Sequence, residues 1–356
     1  MDFDLSDCRD ISIYLGNKCN FNCVYCDRDY IAKIGDLIFR KEDIEPLMRF
    51  LSSIGALKTP PTFFSFHGGE PLVYVKIMDE IITRIVESTD QPVMIFIQTN
   101  GSLITKNRWF FEKWRDILYV SISYDFMHQT INRTPMDAES AIAMLNDVGI
   151  TKIQLQYVMP ISDPKVFGLN TVKSITRMFS TYQIQGLVLI PLRHYRGADK
   201  FKVIIDELDL PQFFGAFMRF VHVLYAYNIN VQIDGQGEGI DKRYFDNHKQ
   251  LVISPDGKLY PEYDFLEYQW HHTAIGEWKN DIRIDRHQPE TETSLILDDC
   301  RECPSRPVCG LKYLFKGFDK PRMTDKCKTF YQMMNAIILH TQKLKQQPSF
   351  FHWIGV

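Results

Sequence analysis

A chain of 356 residues is long enough for one large or two modest domains, and a net formal charge of −3 gives no electrostatic reason to expect nucleic acid. The 45% hydrophobic and 24% charged fractions are those of an ordinary globular protein, and no run of about 18 apolar residues predicts a membrane span. The opening MDFDLSDCRD is acidic and has no apolar core, so no secretory signal is expected and the cytoplasm is the expected compartment.

Between residues 10 and 228, short β-branched or aromatic runs alternate with longer amphipathic ones. Strands are predicted at 11–15, 62–67, 93–98, 118–123, 152–158 and 184–190. Helices are predicted at about 41–54, 75–88, 105–115, 138–148, 170–181 and 210–228. Six consecutive βα units predict an α/β fold, a parallel sheet with helices packed outside it and open rather than closed at eight strands. From about residue 229 the pattern changes. QLVISPDGKLYP reads as a hairpin turning at Pro255-Asp256-Gly257, a cysteine-rich segment follows, and a helix of roughly 20 residues begins near Asp325. The expected division is a barrel over 1–228 and a small α+β domain over 229–356. The aromatic tail QQPSFFHWIGV either docks on the body or contacts a partner.

The eight cysteines are unevenly placed, and structural disulfides are not expected in the cytoplasm. Cys8 stands alone and reads as an ordinary thiol. Cys19, Cys23 and Cys26 form one group, spaced C-x3-C-x2-C, and Cys300, Cys303, Cys309 and Cys327 form another. Two metal centres are therefore expected.

In parallel α/β sheets, functional residues gather in loops at the C-terminal ends of the strands. Strand one runs into the three cysteines, strand two into HGGEP (67–71), strand three into QTNG (98–101) and strand four into SYD (123–125). Strand six runs into PLRHYRG, with Arg193 and His194. Three thiolates can hold three irons of a four-iron cluster and leave the fourth open to an outside chelator. Zinc with three cysteines and a histidine is the other reading, but no histidine lies near that loop and Asp27 is a poor substitute. Gly68 and Gly69 let the backbone approach a ligand closely, and Glu70 can accept hydrogen bonds from an ammonium group.

CNFNCVYC, with Tyr25 before the last cysteine, together with GGEP after the second strand, resembles the radical S-adenosylmethionine enzymes. The resemblance covers residues 10 to about 200 and implies a partial (β/α)6, TIM-like barrel, in agreement with the units read above. It implies a [4Fe-4S] cluster on Cys19, Cys23 and Cys26 whose open iron is chelated by the amino and carboxylate groups of S-adenosylmethionine. Reductive cleavage then gives methionine and a 5′-deoxyadenosyl radical that takes a hydrogen atom from the substrate. Gly68, Gly69 and Glu70 are the implied contacts to the methionine ammonium. Gln98, Asn100, Ser123 and Asp125 are implied to line the cofactor, with Arg133 after strand four. A cellular electron donor such as flavodoxin or ferredoxin is implied too.

The second cysteine group resembles the SPASM or twitch-like extension of such enzymes. Cys300, Cys303 and Cys309 keep its C-x2-C-x5-C run and Cys327 its last cysteine, while Glu262, Asp281 and Tyr313 stand in its other three positions. One auxiliary [4Fe-4S] cluster on four cysteines follows from the resemblance, with zinc as the alternative. In the sulfatase-maturing branch an aspartate directly after the first lost cysteine is the base; here Tyr263 stands there and Asp264 follows. Asp264 and Glu262 are candidate base or substrate contacts, or a solvated hairpin end. The leading expectation is a peptide or protein substrate, crosslinked or oxidised after hydrogen abstraction. The alternatives are dehydrogenation of a small molecule and a non-catalytic iron–sulfur or zinc module. No nucleic acid or membrane partner is expected.

Overall fold

The computed structural model describes residues 10–23, 36–59, 63–126, 134–160, 164–192, 208–233, 250–260, 274–280 and 282–284, with helical Thr329, Met333, Ala336, Ile337, His340 and Thr341 beyond them. The six predicted strands are β1 (Asp10–Tyr14), β2 (Phe63–His67), β3 (Ile95–Thr99), β4 (Leu118–Ser123), β5 (Ile153–Pro160) and β6 (Gly186–Leu192). The helices that follow them are α1 (Ile44–Ser53), α2 (Val75–Glu87), α3 (Arg108–Trp114), α4 (Ala138–Asp147), α5 (Leu169–Thr181) and α6 (Leu210–Ala226). β1 to β6 pair in parallel in sequence order, as βα units require.

Local chemistry sets several boundaries. Asp137 caps α4 by accepting from the Ser140 N–H at 3.0 Å, and Asp209 caps α6 by accepting from the Gln212 N–H at 3.1 Å. Pro211, in the first turn of α6, needs no intrahelical partner for its nitrogen. Each helix buries one stripe: α2 turns Val75, Met78, Ile81, Ile82 and Ile85 onto the sheet.

The strands have two unlike faces. Ile11, Ile13, Phe64, Phe66, Ile95, Ile97, Val120, Ile122 and Leu155 alternate outward under the helices, all at most 2% exposed. Fully burying one such side chain contributes about 1.5–3 kcal/mol. The intervening positions, Asp10, Ser12, Ser65, His67, Gln98, Ser121, Ser123, Gln154 and Gln156, point the other way. Parallel strands covered on both sides read as continuous apolar runs, so a polar second face marks a lumen rather than a packed layer.

The sheet is wider than six strands. β7 (Val231–Ile233) adds in parallel to β6, and β8 (Gln250–Ile253) pairs in parallel with β1 on its other side. Among the described residues, eight parallel strands thus lie side by side in the order β8-β1-β2-β3-β4-β5-β6-β7. β9 (Lys258–Tyr260), β10 (Gly276–Glu277) and β11 (Arg283–Ile284) continue antiparallel from β8, and among the described residues the strand order does not close. The predicted hairpin exists and turns at Pro255-Asp256-Gly257, but it extends the barrel sheet instead of standing apart from it. Trp278 fastens this extension, stacking on Phe39 with centroids 5.7 Å apart and donating its indole N–H to the Ser254 carbonyl at 2.8 Å. The Lys279 ammonium pairs with the buried carboxylate of Asp43. No helix among the described residues is long and apolar enough to cross a membrane.

Candidate active site

Three loops meet at the C-terminal ends of β1, β2 and β3, held by main-chain bonds rather than by chance proximity. The Gly69 N–H donates to the Gly16 carbonyl and the Glu70 N–H to the Lys18 carbonyl, both at 2.9 Å. The Lys18 N–H donates to the Tyr74 hydroxyl at 2.8 Å. This lacing needs glycine. Gly68 has φ +146°, a conformation L side chains rarely adopt, and a Cβ on Gly69 would lie 2.5 Å from the Lys18 carbonyl oxygen.

Glu70 is the hub, and its side chain is 0% exposed. Its carboxylate accepts from the Thr99 hydroxyl at 2.6 Å, the Asn100 N–H at 2.7 Å and the Leu72 N–H at 3.0 Å. These protein donors tie the β2 and β3 loops together.

The cysteine loop is joined to the β3 loop by a second network. Asn100 Nδ2 donates to Asn20 Oδ1 at 2.9 Å and reaches Cys19 Sγ at 3.8 Å, while the Phe21 N–H donates to the same sulfur at 3.3 Å. Asn20 Nδ2 donates to Ser102 Oγ at 2.9 Å, and Ser102 donates back to Asn100 Oδ1 at 2.6 Å. N–H donors around a sulfur suit a thiolate that ligates a cluster. Cys19 and Cys23 are both partly exposed at this rim. The N–H donors around Cys19 fit a cluster bound by cysteine.

Of the other expected residues, Gln98 lies on the inner face at the top of β3, and Ser123, at the end of β4, donates to Gln156 Oε1 at 3.4 Å. Asp125 is buried just past β4. His67 closes β2 on the same face, and desolvation pulls its pKa down to about 4, so its imidazole is neutral. Cys26, Arg133, Arg193, His194, Glu262, Asp264, Cys300, Cys303, Cys309 and Cys327 lie outside the described residues. Asn20, Tyr74, Thr99 and Ser102 emerge from the structure alone as supports of the rim. Thr99 stood inside QTNG and Tyr74 three residues past GGEP, but only the fold brings them onto the other loops.

The family model of the radical SAM superfamily matches residues 13–163. A probable GTP 3′,8-cyclase of Methanothermobacter marburgensis is 36% identical over 281 residues, covering 70% of this chain and 83% of that protein. A 7-carboxy-7-deazaguanine synthase of Methanocaldococcus jannaschii is 34% identical over 94 residues, 23% of this chain and 36% of that protein. Native anSMEcpe with bound AdoMet has a similar fold, with TM-score 0.65 at 15% identity over 93% of this chain and 98% of that one. The expected peptide or protein substrate does not survive these findings: the relative that spans most of its own length here is named for chemistry on GTP, a small molecule.

Proposed function

Because the chain belongs to the radical SAM superfamily, we propose that it is an enzyme that reductively cleaves S-adenosylmethionine and acts on a small molecule. When bound, the cluster and S-adenosylmethionine supply hydrogen-atom abstraction. The chain's own residues prepare the place for it. Cys19 and Cys23, with Cys26, hold the cluster, and N–H groups of Phe21 and Asn100 favour the thiolate on Cys19. Gly68 and Gly69 let the β2 loop pack onto the β1 loop that leads to the cysteines, and Glu70 holds it in register with β3. The observation that carries the reading is this laced junction of three loops above a polar lumen.

The second cysteine group is assigned to one auxiliary [4Fe-4S] cluster of the twitch-like type, on Cys300, Cys303, Cys309 and Cys327. Glu262 and Asp264 are assigned to substrate contact, and an electron donor of the flavodoxin or ferredoxin class to the reduction. GTP is the first substrate to try, because the GTP 3′,8-cyclase relative is named for it.

The test is anaerobic reconstitution, reduction with dithionite and measurement of 5′-deoxyadenosine, with and without GTP. Wild-type protein is expected to bind about eight irons, and the triple Cys19/Cys23/Cys26→Ala variant about four. Wild type is expected to form 5′-deoxyadenosine, and Cys23→Ala none. Formation by Cys23→Ala at the wild-type rate would sink the proposal.

A further inference from the structure

The network around Cys19 does more than join two loops. We propose that Asn100 is a positioning residue that sets the reduction potential of the cluster, by holding one amide N–H toward the Cys19 sulfur. This deepens the radical reading above and rests on it.

The first observation is that the amide can point only one way. Asn100 Oδ1 accepts from the Ser102 N–H at 3.0 Å and from the Ser102 hydroxyl at 2.6 Å. Turning the amide over would set its NH2 group against both donors. The main chain is fixed as well, because the Asn100 N–H donates to Glu70 Oε2 at 2.7 Å. The β2 and β3 loops therefore aim this side chain together.

The second is where the amide hydrogens go. One meets Asn20 Oδ1 at 2.9 Å, and the other faces Cys19 Sγ, with the nitrogen 3.8 Å from the sulfur. Asn20 is itself oriented, since its Nδ2 donates to Ser102 Oγ at 2.9 Å. Its oxygen is thereby turned to Asn100, where it takes one hydrogen and leaves the other for the sulfur. The Phe21 N–H reaches the same sulfur at 3.3 Å. Any residue but proline would supply that main-chain donor, whereas the Asn100 contact depends on the side chain.

The third is the chemistry of the acceptor. Hydrogen bonds to the sulfurs help to set an iron–sulfur potential, together with charge and exposure. An N–H aimed at a ligating sulfur interacts more strongly as negative charge is added, so it favours the reduced state over the oxidised one. Removing it lowers the potential and makes reduction harder. Cys19 and Asn100 are both only partly exposed, so solvent screens the contact incompletely.

The test is a potentiometric titration of reconstituted enzyme, followed by the electron paramagnetic resonance signal of the reduced cluster. Only the part of that signal missing from the triple Cys19/Cys23/Cys26→Ala variant is read, which separates this cluster from the auxiliary one. Asn100→Leu keeps the bulk and loses both amide hydrogens. At a fixed solution potential it is expected to lower the ratio of reduced to oxidised cluster about tenfold, a fall of about 59 mV for one electron, at wild-type iron content. Asn100→Asp keeps the oxygen that Ser102 binds and puts a carboxylate oxygen in place of Nδ2, so a larger fall is expected. If Asn100→Leu loads no iron, Asn100→Asp carries the same reading. Ser102→Ala is the control for loop support. It cuts two side-chain bonds but keeps the Ser102 N–H on Asn100, and a shift of less than about threefold is expected. Equal shifts in Ser102→Ala and Asn100→Leu would make the network a loop brace and overturn the proposal, as would loaded Asn100 variants at the wild-type potential. Wild-type protein that binds iron but forms no 5′-deoxyadenosine overturns the radical reading instead, and the same ratios still decide the role of Asn100.

Discussion

The two faces of one sheet obey different rules in this protein. The outward residues of β1 to β6 are mostly apolar and almost wholly buried; the inward ones mix polar side chains with the aromatic rings of Phe63, Phe96 and Tyr119, some partly open and others, such as Ser12, Ser65 and Ser121, buried. Stability resides chiefly in the first set. The rim, where the faces end, is the exception, because Glu70 is buried like a core residue and charged like a site residue.

The sharpest way to break the contrast is to cut an outer ring. Phe64→Ala is expected to cost about 3–5 kcal/mol in denaturant unfolding, from lost transfer energy and the cavity left behind. Glu70→Ala comes next, at about 3 kcal/mol, because the Thr99, Asn100 and Leu72 donors lose a buried acceptor. A loss of cofactor affinity in that variant without any loss of stability would return Glu70 to direct ligand contact. Acid tests the rim in another way. An unfolded His67 takes its proton near pH 6.5 and the folded one only near 4, so protonation favours the unfolded chain. Stability is complete above about pH 6.5 and falls toward pH 4, by on the order of 3 kcal/mol, and His67→Gln is expected to flatten that slope. The smallest effect belongs to the inner face. Gln156→Leu is expected to change stability by less than about 1 kcal/mol, because the residue lines a lumen rather than a packed layer. A loss above about 2 kcal/mol there would show that the lumen is core after all.

The period-two alternation and the amphipathic runs made β1 to β6 and their helices legible to within one to three residues at most ends. β7 was not legible, since VQI is three residues long and carries too little pattern. Nor could the pairing of β8 with β1 be read, because nothing local to QLVI states which distant edge it will join. The same division holds at the site. Cysteine spacing and GGEP announced the chemistry, whereas the bonds of Glu70 to Thr99 and Asn100, some thirty residues on, could be read only from the fold. The substrate class was misread from the auxiliary cysteines, and the GTP 3′,8-cyclase relative corrects it.

The pairing of Asp10 with Gln250 also sets a timetable. At a synthesis rate of roughly 5–20 residues per second, β8 leaves the ribosome roughly 12–48 seconds after β1. β2 arrives far sooner, so for most of translation the strand that feeds the cysteine loop has one neighbour and one bare edge. Trp278 and Lys279, which pin the extension to Phe39 and Asp43, emerge later still. The nascent chain therefore carries its cysteine loop after a half-finished strand, and the second neighbour of β1 is delivered only after β2 to β7 have been made.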